Sequence, residues 1–335
     1  MKIIKKDSAN ELDQNWNRLC DSVYQKDKFL KHTEKYNSCN QRYFLGFEER
    51  GLVAGAVVYS LKVNMLTFAK HSLNIPMTII GIPASVDAYG IVGNEIYYEE
   101  LLNEIIKNEN GIILCLNYNQ SLRINDIIEM KTLPTMIYDC DASSWEKYLE
   151  SIRHNYRRRI LKAQNKFDGV TIKKDLCSQF TDEHYHLYLS IIKRTKTKLE
   201  ILQKEFFMNL SSEYTLHSFY SDNDLITWHI TISNKGVYYF LFGGINYYLR
   251  DKFDSYFNNL IYVVKEGITI RSKSINLGQT AEVSKNRLGA KSIEKKMFIY
   301  HKNPLIRLMF KSLKRFLGYQ LNSEMVSIFK RELAS

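Results

Sequence analysis

The sequence predicts an α+β protein made of two tandem units, each a mixed, mostly antiparallel sheet flanked by helices. Three observations predict it. The order helix, three strands, helix, strand occurs twice along the 335 residues, and such a period marks duplicated architecture even without residue identity. Turn residues separate the strand-like runs at matching places: Glu49-Arg50-Gly51 in the first copy, Asp222-Asn223-Asp224 and Asn234-Lys235-Gly236 in the second. The composition, 45% hydrophobic and 25% charged with only 15 Gly and 4 Pro, excludes a disordered or collagen-like chain.

In the first copy, residues 8–36 read as helix, 42–48, 52–61 and 64–70 as strands, 94–108 as helix and 111–116 as strand. In the second, 181–210 read as helix, 215–221, 225–233 and 237–242 as strands, 254–272 as helix and 274–277 as strand. Residues 117–141 join the copies. The helix that follows, 143–166, opens on the capping box Ser143-Ser-Trp-Glu146. These boundaries predict an N-terminal domain over 1–141, a second domain carrying the donor site over 142–300, and a basic helical extension over 301–335.

Charge is the next signal. Lys and Arg number 47 against 36 Asp and Glu, a net charge of +11, which favours an anionic partner such as nucleic acid, a phosphorylated co-substrate or a membrane surface. Between Ser151 and Lys174 eight basic residues face one acid, Asp168, so the polar face of helix 143–166 is one-sided. Residues 302–318 read as a second basic helix, with Leu305, Leu308, Met309, Leu313, Phe316 and Leu317 on one face, suited to peripheral membrane contact or to docking on the core. Cys20, Cys39, Cys115, Cys140 and Cys177 are scattered without a CxxC pair and read as free thiols. The N-terminus lacks the apolar stretch of a signal peptide, and no run reaches the ~18 apolar residues of a span, so a cytoplasmic location is expected.

Three segments carry a resemblance to a known family: the basic helix from Tyr148 to Ala163, the run Tyr238-Tyr-Phe-Leu-Phe-Gly-Gly-Ile245, and Ile275-Asn-Leu-Gly-Gln279 followed by Lys285-Asn-Arg-Leu-Gly-Ala290. A fourth is Gly81-Ile-Pro-Ala-Ser-Val-Asp-Ala-Tyr-Gly90. In their order and spacing they resemble the FemAB-like and CelD-type branch of the GNAT acyltransferase superfamily. The resemblance implies tandem GNAT-like domains. It implies an N-acyltransferase acting on the amine of a small molecule or a cell-envelope precursor. The donor would be acyl-CoA, acetyl-CoA or a carrier-bound thioester used as a co-substrate, with aminoacyl-tRNA as the alternative. No metal is expected. The Gln/Arg-x-x-Gly-x-Gly loop of CoA-binding members is missing; Asn246 to Phe253 stands in its place. A binding protein that kept the fold without the chemistry is the third reading. Oligomeric state is not legible.

Amine attack on a thioester or ester requires alignment, an oxyanion site and removal of a proton. For the donor, Phe242, Gly243 and Gly244 offer a strand end open to close approach. Arg250, Lys252, Ser255 and Asn258, at the start of the helix beginning near 254, offer a phosphate site, joined by Lys285 and Arg287. For catalysis the candidates are His229, on the more polar face of its strand, Glu282 if buried, Lys285, and Asp87 and Tyr89 of the first copy. Tyr239, Gln279, Arg153 and Arg157 are candidate substrate contacts. Other chemistries fit poorly, since the sequence has no phosphate loop after Gly46, no zinc-ligand spacing around His184-Tyr-His186, and no Gly-x-Ser-x-Gly elbow.

Overall fold

β-branched and aromatic runs punctuated by Gly, Asn and Asp form the strands, and the helices between them bury one apolar face each. The computed structural model describes residues 1–64, 74–195, 199–320 and 326–330. The first strands are β1 (Lys2–Lys6), β2 (Arg42–Glu48), β3 (Gly51–Asn64), β4 (Asn74–Ile80), β5 (Ile91–Gly93) and β6 (Ile112–Tyr118). They are followed by β7 (Ile128–Asp139), β8 (Thr171–Leu176), β9 (Thr215–Ser221), β10 (Asp224–Asn234), β11 (Val237–Ile245), β12 (Ser274–Asn276) and β13 (Lys291–Tyr300). The helices are α1 (Asp27–Tyr36), α2 (Tyr98–Asn108), α3 (Trp145–Ser151), α4 (His154–Asn165) and α5 (Asp182–Arg194). After them come α6 (Lys204–Met208), α7 (Arg250–Phe253), α8 (Ser255–Thr269), α9 (Glu282–Asn286) and α10 (Pro304–Leu317).

The chain divides into two compact units. One comprises 1–133, 196–206 and 294–321; the other comprises 134–195, 207–293 and 322–335. In the first unit β1, β2, β3 and β4 pair antiparallel in sequence, β6 adds parallel to β4, and β13 adds antiparallel to β6. In the second, β8, β9, β10 and β11 pair antiparallel, β12 adds parallel to β11, and β7 adds antiparallel to β12. The strand plan is thus stated twice, as the sequence period predicts. Leu101, Leu102 and Ile105 of α2 bury against Ala54, Ala56 and Val58 of β3. Leu260, Val263, Val264 and Ile268 of α8 bury with Tyr238 and Ile275 in the second unit. All five cysteines are free thiols.

Several boundaries differ from the sequence reading. Residues 8–36 form short 3-10 turns before α1, and 181–210 divide into α5 and α6. The 143–166 helix breaks into α3 and α4 at Ile152, which is fully buried and bridges to Phe329, while the Arg153 amide bonds the Ile328 carbonyl. Its N-cap is Ser144, whose hydroxyl accepts from the Lys147 amide, rather than Ser143. The 254–272 helix is α8, which ends earlier, at Thr269; Asp254, in the left-handed region (φ 46°), separates it from the short α7 that precedes it. β1, β7, β8 and β13 were not expected, because mixed charged and apolar runs such as Thr171–Leu176 carry no clean period. The expected strand over 64–70 lies, beyond Asn64, outside the described residues.

Candidate functional site

The parallel pair of the second unit opens into a splay. β11 and β12 are paired only at Val237–Ser274, Tyr238–Ile275 and Tyr239–Asn276. β12 then ends, while β11 continues to Ile245. Local chemistry turns the chain away. The Asn276 side chain accepts the Gly278 amide at 2.7 Å, an Asx-type turn. Gly278, Thr280 and Ala281 all have positive φ (69°, 65° and 53°), so two non-glycine residues sit in a costly region beside the gap. The Leu277 amide and Gly278 carbonyl both bond Met136 of β7, so the segment follows β7 and leaves β11. Lys285, only 2% exposed, pins the turn: its ammonium donates to the carbonyls of Gln279 (2.6 Å) and Gly278 (3.3 Å).

Beside the gap, β11 carries a bulge. Ile230 faces Phe242 and Thr231 faces Phe240, which leaves Leu241 as the extra residue. Gly244 is required by packing, since a Cβ there would stand 2.0 Å from the indole nitrogen of Trp228. That indole is fixed by its bond to the His184 carbonyl at 2.8 Å. A Cβ on Gly243 would stand 3.0 Å from the Trp228 carbonyl oxygen.

The loop after β11 forms a cationic, aromatic rim. The Arg194 guanidinium, at the end of α5, lies 3.9 Å from the centre of the Tyr247 ring, and that of Arg250 lies 5.8 Å from it. Arg250 also forms an exposed pair with Asp251 (2.8 Å), and Lys252 sits over the Phe253 ring. Tyr248 is fully exposed. Ser255, in the first turn of α8, is buried, and its hydroxyl has no hydrogen-bond partner among the described residues. Asn258 is committed to structure: its amide donates to the carbonyls of Ala163 and Phe253. Glu282 is half-buried on the first turn of α9, and its charge adds to the burial that raises the Tyr256 phenol. Gln279 and Arg287 are half-buried at either end of α9.

The remaining candidates lie elsewhere. His229 is on the predicted face of β10, yet that face is covered by α8. It is fully buried, stacked on His217 at 4.5 Å and beside Tyr262, and burial holds its imidazole well below the ordinary range. In this structure it has no path to a substrate. Tyr239 is buried in the ladder, and the Phe242 ring packs edge-on against Phe207. Arg153 is exposed and donates to the Phe329 carbonyl; Arg157, on α4, is half-buried. Asp87 and Tyr89 belong to the first unit. Tyr89 turns its ring into the core against Tyr98 and Tyr118, with its hydroxyl buried, while Asp87 is half-exposed. The candidates therefore divide between those on β11, the loop after it and the 276–287 segment, and those held in the core by packing. Arg194 and Tyr247 were missed. Their only sequence signal is a basic last turn on α5 and an aromatic pair after the two glycines.

Among the described residues no three His, Cys, Asp or Glu side chains are placed to hold a metal ion, and no helix is long and apolar enough to cross a membrane. The strand plan and the splayed parallel pair define a tandem GNAT-like fold. A scan against protein-family models finds no match, and neither does a comparison with curated protein sequences. Solved structures do match. FemX superposes with a TM-score of 0.57 at 13% identity, over 93% of this chain and 100% of that one. The C-terminal domain of a putative lysylphosphatidylglycerol synthetase from Agrobacterium fabrum gives 0.52 at 11% identity, over 91% and 97%. L-PGS from Bacillus licheniformis gives 0.51 at 13% identity, over 86% and 96%. At these identities the likeness establishes the fold.

Proposed function

We propose that the protein is an acyltransferase that moves an acyl group from a thioester or ester donor to an amine, with the donor lying along the open edge of β11. The observation that carries this reading is the early end of β12 at Asn276, after which, among the described residues, no parallel strand pairs with β11 beside Gly243 and Gly244. A donor chain can take the place of the missing strand. The bulge at Leu241 and the two glycines let it approach the backbone closely, and strand amides there supply donors to a tetrahedral oxyanion. The polyanionic end of an acyl-CoA would meet Arg194, Arg250, Lys252 and the first turn of α8. Glu282, half-buried on α9 with its charge felt at Tyr256, is the carboxylate offered here to accept the amine proton. Lys285 acts here as the pin of the turn.

Aminoacyl-tRNA as donor is a second reading with its own support. The outer face of α4 presents His154, Arg157, Arg158 and Lys162 around a shallow pocket of about 350 Å³, and the glycine-rich phosphate loop is missing. Melting-temperature shifts with acetyl-CoA, longer acyl-CoAs and aminoacyl-tRNA test both. A shift with an acyl-CoA supports the first reading. Binding of tRNA alone, with a steep fall in affinity as salt rises, supports the second. Failure of every donor leaves a binding protein that kept the fold.

A further inference from the structure

α10 has two unlike faces. Phe310 is buried with Tyr59, Met77 and Met130, and half-buried Ile306 and Leu317 pack on the same cluster. Arg307 donates to Asp126 at 2.9 Å and to the carbonyls of His301 and Lys302. The helix is therefore fixed to the first unit along this side. On the other side Leu305, Leu308, Met309 and Phe316 are 74%, 62%, 50% and 78% exposed. Their spacing aligns them in one stripe along a 14-residue helix, about 21 Å long. Exposed Arg315 and Lys311 border the stripe on the side away from the docked face, and Pro304 to Leu317 contain no acid.

Scattered exposed apolar residues need no explanation, but a continuous stripe bordered by cations of one sign does. We infer that α10 docks the protein on an anionic lipid surface. The stripe enters the boundary between headgroups and acyl chains, and Lys311 and Arg315 reach the lipid phosphates, their stems lying along the apolar layer. A second copy of this helix is a poorer occupant, because it would bring the same uncompensated cations against these.

Co-sedimentation of the full chain with phosphatidylglycerol–phosphatidylcholine vesicles, and with phosphatidylcholine alone, tests the inference. Binding to the anionic vesicles is expected, with little to the zwitterionic ones. The exposed double variant Leu305→Ser/Phe316→Ser should lower the partition coefficient by about 10-fold or more. Lys311→Gln/Arg315→Gln should lower it by roughly 25-fold, about 5-fold per charge. Both should melt like the wild type, since none of the altered side chains is buried. Equal binding by wild type and both variants would assign adsorption to the rest of the +11 surface and overturn the inference. So would no binding to anionic vesicles, or a concentration-dependent dimer that Leu305→Ser/Phe316→Ser abolishes.

Discussion

The two units share a strand plan and differ at one seam. In the first, β4 is paired with β6 from Met77 through Ile80, its last residue, and its pairing with β3 is regular along its whole length. The loop that follows folds back on the sheet. Gly90 packs on Gly81, where a Cβ would come within 2.3 Å of the Gly81 nitrogen, and the Asn117 amide donates to the Val86 carbonyl. In the second unit the corresponding parallel pair stops after three residue pairs, and the longer strand is bulged. A duplicated scaffold thus closes one copy of the seam with its own loop and holds the other open with an Asx turn and a buried lysine. On the proposed reading, the place where a donor binds follows from where one short strand ends rather than from a separate catalytic motif.

Acid should separate the units most strongly. Burial holds His184 and His217 down to about 4, and holds His229 well below its ordinary range, all in the second unit. Unfolded imidazoles titrate near 6.5, so as pH falls the unfolded chain binds protons first. The stability these groups contribute is complete above about pH 6.5 and drains away toward pH 4. Calorimetry should show a loss on the order of 5 kcal/mol over that window, concentrated in the second unit; among the described residues of the first, only His32 is depressed in this way. A pH-independent transition would contradict the buried, neutral histidines.

Packing changes at the seam come next. Gly244→Val drives a side chain into the Trp228 indole and should cost about 3 kcal/mol in urea unfolding. Unchanged stability would mean that the indole does not lie there. Lys285→Met leaves the Gly278 and Gln279 carbonyls without their buried donor and should cost about 2 kcal/mol. Because the turn it pins defines the gap, this variant should also lose donor binding at temperatures where it remains folded. The smallest effect is at the rim. Arg194→Ala and Arg250→Ala should each weaken an anionic donor by about 3- to 10-fold, less at high salt, with no change in melting. Salt-independent loss would argue that these arginines act by packing on Tyr247 instead.

Much of this was legible locally. The glycine pair after a β run, the duplicated element order and the alternation along β10 are short-range patterns, and each is realised. What the sequence hid depends on distant partners. Whether His229 meets solvent is decided by α8, and the break between α3 and α4 by Ile328 and Phe329 near the other end of the chain. Tyr89 sits in a loop pattern, but Tyr98 and Tyr118 draw its ring inward. β7 and β13 lack a clean period because their neighbours are far away in sequence. The rim residue Arg194 is invisible until α5 brings it beside Tyr247.

Amide hydrogen exchange with and without a bound donor tests the central claim most directly. Peptides covering 239–246 of β11 should gain protection when the donor binds, while peptides covering 76–82 of β4 should not change. Protection at β4, or donor binding that leaves 239–246 untouched, would contradict the assignment of the open seam as the donor site.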